Sequence, residues 1–173
     1  MIELILGGAR SGKSRLAEET AVGSALEVTY IATSQSLDAA MAERIAMHRA
    51  QRPAHWGLVE EPLALAGALR KVAGENRCIL VDCLTLWLTN LLLHPDPERL
   101  ASEQAALIEV LPELPGQVIL VSNETGLGVV PMGELTRRYV DQAGWLHQRL
   151  ASLSDRVTFC VAGLPMLLKG QRA

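Results

Sequence analysis

The sequence predicts an α/β protein whose mostly parallel sheet carries helices on both faces. Three observations predict it. Five short runs are nearly continuous in Val, Ile and Leu, as in strands covered on both sides. The stretches between them repeat their apolar residues at helical intervals, and strand–helix alternation means a doubly wound sheet. A glycine-rich segment joins the first run to the first helical stretch.

In chain order, Ile2–Leu6 is the first strand, and Lys13–Ala21 is the helix that follows the glycines. Val28–Ala32 is a strand, and Asp38–Ala50 is a helix opened by an Asp cap. Pro62–Ala73 reads as a helix, with Leu65 and Leu69 four residues apart, and leads into the strand Cys78–Val81. Helices Leu84–Leu93 and Pro97–Leu111, strand Val118–Val121, helix Leu135–Leu153 and strand Val157–Val161 complete the series. The Pro-rich stretches 94–97 and 112–116 are turns between elements, and no repeat or low-complexity tract divides the chain. The 173 residues suit one domain spanning 1–173.

Composition narrows the function. A net charge of −3 and few aromatic residues (3%) argue against a nucleic-acid surface and against base-stacking platforms. The most apolar window, 78–93, is interrupted by Asp82 and Asn90 and is shorter than a bilayer demands, so no membrane span is expected. The N-terminus enters a strand without a basic n-region, which leads to the expectation of no secretory signal and a cytoplasmic protein. Cys78, Cys83 and Cys160 form no C-x-x-C pair and read as reduced cysteines in or beside strands.

Gly7, Gly8, Ala9, Arg10, Ser11, Gly12, Lys13 and Ser14 fit G-x-x-x-x-G-K-[ST], the phosphate-binding P-loop, between strand and helix where that loop must sit. The glycines let backbone N–H groups close around phosphate oxygens, and the helix adds its positive end. Lys13 is suited to the β- and γ-phosphates and the Ser14 hydroxyl to Mg²⁺.

In doubly wound sheets ligands sit at the carboxyl ends of strands. That rule selects Ala32-Thr33-Ser34, Asp82, Ser122-Asn123-Glu124 and Ala162-Gly163 beside the P-loop. Asp82 is suited to a metal, or alternatively to capping the next helix. Glu60 and Glu61, read alone, are a solvated pair at a helix start. The segment 122–131 is either a structured loop at the ligand edge or a flexible connector. It lacks the N-K-x-D element of guanine-specific switches, with Glu124 at the Lys position and Gly126 at the Asp position. His48 shares a helical stripe with Met41 and Ile45, and spacing alone favours a packed histidine. Arg44, Arg49 and Arg52 around it could hold triphosphate oxygens or form a solvated face. His55, His94 and His147 show no partner in the sequence and read as structural or surface residues.

The P-loop, Tyr30-Ile31-Ala32-Thr33-Ser34, Arg44-Ile45-Ala46-Met47-His48-Arg49, residues 81–92 and Asn123–Pro131, in this order, resemble the bifunctional adenosylcobinamide kinase/adenosylcobinamide-phosphate guanylyltransferase family of cobalamin biosynthesis. The resemblance covers nearly the whole chain, with Asp82 where some members have Glu. It implies a RecA-like P-loop NTPase sheet, Mg²⁺, ATP and GTP as substrates, a small-molecule corrinoid acceptor and a homotrimer. It implies two reactions, phosphorylation of the aminopropanol hydroxyl of adenosylcobinamide and GMP transfer from GTP through a guanylylated histidine. That histidine falls on His48, which reverses the reading that spacing favours. The nucleotide contacts it implies are Gly7 to Ser14, Ala32, Thr33, Ser34, Arg49, Ala50, Gln51, Arg52, Glu60 and Asp82, with Lys13 also catalytic and Ser14 and Asp82 as metal ligands. Like-charge repulsion from Arg49 and Arg52 would favour a neutral, nucleophilic His48 imidazole. A P-loop kinase of another small metabolite and a nucleotide-dependent switch are the competing readings.

Overall fold

The computed structural model describes residues 1–34 and 53–171. Its elements are β1 (Ile2–Gly7), α1 (Lys13–Gly23), β2 (Glu27–Ala32), β3 (Gly57–Glu60), α2 (Leu65–Val72), β4 (Arg77–Asp82), α3 (Leu84–Leu92) and α4 (Glu98–Val110). A short 3₁₀ turn (Leu111–Glu113), β5 (Gln117–Asn123), α5 (Glu134–Leu153), β6 (Arg156–Val161) and β7 (Leu164–Lys169) follow. The strands form one sheet in the order β3-β2-β4-β5-β1-β6-β7. All neighbours pair in parallel except β6 and β7. The expected helix Asp38–Ala50 lies outside the described residues.

Continuous burial along the central strands has the cause the sequence suggested: both faces are covered. Leu4, Leu6, Ile79, Val81, Val118 and Leu120 face a core completed by Leu65 and Leu69 of α2, Trp87 of α3, Leu107 of α4, and Leu146 and Leu150 of α5. The alternate residues Ile5, Tyr30, Cys78, Leu80, Ile119 and Val121 pack with Ala17 and Ala21 of α1. Among the described residues, α1 thus covers one face and α2 to α5 the other. The three cysteines are free thiols, with Cys78 and Cys160 buried.

Two strands were not legible as apolar runs. β3 is a four-residue edge strand whose residues are mostly exposed, so it shows no buried face to read. β7 is the opposite edge. It follows β6 through Ala162 and Gly163, both at positive φ (51° and 80°), which is the two-residue turn that suits a twisted hairpin. Ala at the first of these positions hides the turn from sequence reading, and Pro165 is tolerated because the strand is an edge.

The helix expected from Pro62 begins at Leu65. Glu61 accepts hydrogen bonds from the backbone N–H groups of Leu63 (3.0 Å) and Ala64 (2.8 Å), satisfying donors ahead of the helix. The helix-start reading of Glu61 holds, while Glu60 is the last residue of β3.

Side chains also lash the strand ends together. The Thr33 hydroxyl donates to the Cys83 carbonyl (2.7 Å) and accepts from the Cys83 N–H (3.1 Å), joining the ends of β2 and β4. Asn90, buried on α3, donates through Nδ2 to the carbonyls of Thr33 (2.8 Å) and Pro62 (3.1 Å). Replacing Asn90 with Leu leaves both carbonyls without this donor. The expected loss is about 1–3 kcal/mol of stability, read as a lower urea midpoint, and an unchanged midpoint would contradict the role given to Asn90.

Candidate active site

The phosphate loop takes its shape from crowding. A Cβ on Gly7 would lie 2.4 Å from Ser11 Oγ and 2.8 Å from the Cys160 carbonyl. Gly12 has φ 94°, in the left-handed region, and a Cβ there would stand 3.1 Å from Gly163 Cα. Gly163 in turn donates its N–H to the Ser11 carbonyl at 2.9 Å, so the β6–β7 turn backs the loop. The α1 helix begins at Lys13, directly after Gly12 as N-cap, which aims its first free N–H groups at the loop's interior. Lys13 Nζ lies 3.2 Å from the Gly8 carbonyl.

Asp82 ends β4, where the sequence placed it. Between β4 and β1 lies β5, so the carboxylate and the phosphate loop are two strand spacings apart, about 10 Å. The positive charge of Lys13 is felt on both sides. Burial pushes the Cys83 thiol up to about 11, Asp82 adds to that push, and Lys13 opposes it. Lys13 likewise counters the upward effect of burial on Cys160.

Ala32 ends β2 and is buried; Thr33 is fully buried, with its hydroxyl taken up by Cys83. Glu60 ends β3, four strand spacings from β1, about 19 Å. Ser34 closes the first described stretch. His48, Arg49, Ala50, Gln51 and Arg52 lie outside the described residues. The structure thus brings the P-loop and Asp82 together and sets Ala32, Thr33 and Glu60 farther along the same edge.

One cluster was missed. His147, read from the sequence as structural or surface, is buried on α5 with Nε2 2.8 Å from Ser122 Oγ and Nδ1 3.6 Å from Glu124 Oε2. Its signal was available: Ala143, Leu146 and Leu150 put His147 on the buried stripe of its helix. Burial lowers the His147 pKa, and the Glu124 carboxylate works against that effect. Glu124 also accepts the Gly126 N–H through Oε1 and donates its own N–H to the Gly7 carbonyl at 3.0 Å. Thr85 Oγ1 accepts the Asn123 N–H at 2.8 Å, tying the end of β5 to the start of α3. The segment after Asn123 is therefore anchored where it leaves the sheet.

Among the described residues no three His, Cys, Asp or Glu side chains gather to hold a metal, and no helix is long and apolar enough to cross a membrane.

Residues 3–168 match the protein family described as cobinamide kinase / cobinamide phosphate guanyltransferase. The chain is similar to the bifunctional adenosylcobalamin biosynthesis protein CobP of Pseudomonas aeruginosa, at 69% identity over 99% of both chains. It is 41% identical to the bifunctional adenosylcobalamin biosynthesis protein CobU of Escherichia coli, over 98% of this chain and 100% of the relative. Solved structures share the fold at low identity. The RadB recombinase aligns with a TM-score of 0.51 at 17% identity, covering 91% of this chain and 73% of that one. The P4 protein of bacteriophage phi6, solved with ADP, aligns with a TM-score of 0.51 at 13% identity, covering 95% and 53%. The fold is that of the RecA-like P-loop NTPases.

Two outcomes follow from this geometry. Gly12→Ala places a side chain at left-handed φ against Gly163, and is expected to cost about 1–2 kcal/mol and to weaken nucleotide binding in a fluorescent-nucleotide titration. His147, neutral when folded, contributes stability that is complete above its unfolded value of about 6.5 and declines as pH falls below it. The urea midpoint should therefore drop between about pH 7.5 and pH 5.5, and drop less in His147→Asn.

Proposed function

Because the chain belongs to the cobinamide kinase / cobinamide phosphate guanyltransferase family, we propose that it carries out two reactions at this sheet edge. A nucleoside triphosphate phosphorylates the aminopropanol hydroxyl of adenosylcobinamide. GTP then donates GMP to that phosphate, giving adenosylcobinamide-GDP and pyrophosphate. The observation that carries the reading is the P-loop at the end of β1 with Asp82 two strands away, in a chain matched to the family over residues 3–168.

The P-loop amides from Gly7 to Ser14, the N-terminus of α1 and Lys13 hold the phosphate oxygens and offset the charge that shifts during transfer. Ser14 and Asp82 offer a hydroxyl and a carboxylate, hard oxygen donors that fit Mg²⁺. Mg²⁺ is bound through one or two protein oxygens and keeps phosphate oxygens and waters in its shell, which suits so small a donor set. When bound, Mg²⁺ neutralises phosphate charge. Ser34 and Glu60 stand on the edge along which the remainder of a nucleotide would extend, and the buried Ala32 and Thr33 brace that edge from beneath. Arg49, Ala50, Gln51 and Arg52 join them in this reading by family resemblance.

His48 is the nucleophile of the second reaction. Its imidazole nitrogen forms a bond to the α-phosphorus of GTP as the bond to the pyrophosphate oxygen breaks. An oxygen of the acceptor phosphate then displaces the histidine. The protein works in the cytoplasm as a homotrimer. Apolar side chains left in solvent, Leu127, Val129 and Met132 after β5 and Leu164 on β7, support burial against other copies.

With GTP labelled on the α-phosphate and Mg²⁺ but no acceptor, the protein is expected to take up an acid-labile, alkali-stable label that His48→Ala abolishes. An unlabelled wild type would sink the intermediate. Lys13→Ala should lower both reactions by about 100-fold or more in product-formation assays. Arg49→Ala and Arg52→Ala should slow GMP transfer, and unchanged rates would remove the arginines from the reaction.

A further inference from the structure

The contacts joining Ser122, His147 and Glu124 have no part in the phosphate binding described so far, and the topology sets one end of them where transfer takes place. β5 lies between β1, which carries the phosphate loop, and β4, which ends in Asp82. Strands are about 4.8 Å apart, so a phosphoryl group held between loop and Asp82 lies over the end of β5. Glu124 is the residue found there, with its N–H on the Gly7 carbonyl at 3.0 Å. Its side chain is partly exposed (21%), so it is open to substrate.

The Ser–His–carboxylate order resembles that of a hydrolase, but Ser122 is only 1% exposed and cannot meet a substrate. The working end is the carboxylate. A carboxylate is repelled by phosphate oxygens, so it does not serve as their ligand. What phosphorylation of a hydroxyl still requires is a group to take the hydroxyl proton. Of the other carboxylates ending strands at this edge, Asp82 is suited to the metal and Glu60 stands on the outermost strand.

We propose that Glu124 is the proton acceptor of the kinase reaction, with the buried His147 as its positioning residue; this rests on the kinase reading above. The acceptor hydroxyl oxygen forms a bond to the γ-phosphorus as the bond from that phosphorus to the β–γ bridging oxygen breaks. The nucleoside diphosphate leaves with the electron pair, and the hydroxyl proton passes to the Glu124 carboxylate and on to solvent. His147 fixes the carboxylate without supplying a proton of its own. Burial disfavours the charged imidazole, Nε2 shares a 2.8 Å hydrogen bond with the Ser122 hydroxyl, and the role requires the tautomer in which Nδ1 carries the hydrogen toward Glu124 Oε2. The Gly126 N–H holds the other oxygen.

The test compares wild type, Glu124→Gln, His147→Phe and His147→Asn in phosphorylation of adenosylcobinamide by ATP. Glu124→Gln keeps shape and the acceptor for Gly126, so kcat is expected to fall about 100-fold or more, while the Kd of a non-hydrolysable ATP analogue and the corrinoid KM move less than about threefold. His147→Phe should lower kcat about tenfold, and His147→Asn, whose amide N–H reaches the Nδ1 position, should recover most of it. A Gln variant within about threefold of wild type, or a loss that appears in nucleotide affinity instead of kcat, overturns the base assignment. Equal impairment in both His147 variants overturns the positioning role. Absence of product from wild type sinks the kinase reading itself, an outcome distinct from an active wild type with an undiminished Gln variant.

Discussion

The pairing of β1 with β5, in the register that sets Gly7 opposite Asn123, is the constraint on which the functional edge depends. It places the phosphate loop one strand spacing from the end of β5 and two from Asp82. It also lets the Glu124 N–H reach the Gly7 carbonyl. A slip of one residue would turn Leu4 and Leu6 toward the α1 side and Ile5 toward the larger core, so burial on both faces enforces the register. The positions of the candidate catalytic groups are thus a by-product of core packing.

The edge itself is knit by polar side chains that the core could not supply. Thr33, Asn90 and Thr85 each spend their hydrogen bonds on backbone groups at the ends of other strands or at helix starts. Each is buried or half-buried, where an unpartnered polar atom is costly, so the bonds restrict the edge to one arrangement. A preformed edge is what phosphoryl chemistry asks of a protein, since catalysis there is mostly positioning and electrostatics.

Much of this was legible in the sequence, for physical reasons that differ by element. The five central strands were visible because burial on both faces demands unbroken apolar runs. The P-loop was visible because its glycines answer to backbone geometry, and Asp82 because it interrupts an apolar run at a strand end. β3 and β7 were hidden because edge strands need no such runs, and β7 also follows a turn with Ala at a position of positive φ. His147, read as structural or surface, is buried, and the partners that the sequence did not show are Ser122 and Glu124. Its link to Ser122 and Glu124 joins a long helix to the end of a strand, a contact that no local spacing encodes. The role proposed for His48 rests on family resemblance alone, since its own spacing argues for packing.

The first motif in the chain is the last to be completed. β1 gains its partners only when β5 and β6 have been made, and the phosphate loop is backed by the turn at Gly163, some 150 residues beyond Gly12. Contacts of such long sequence separation close late and at high entropic cost. A fragment that stops before β5 would carry every residue of the phosphate motif and have no structure to hold it open. In this molecule nucleotide binding reports on the assembly of the whole sheet.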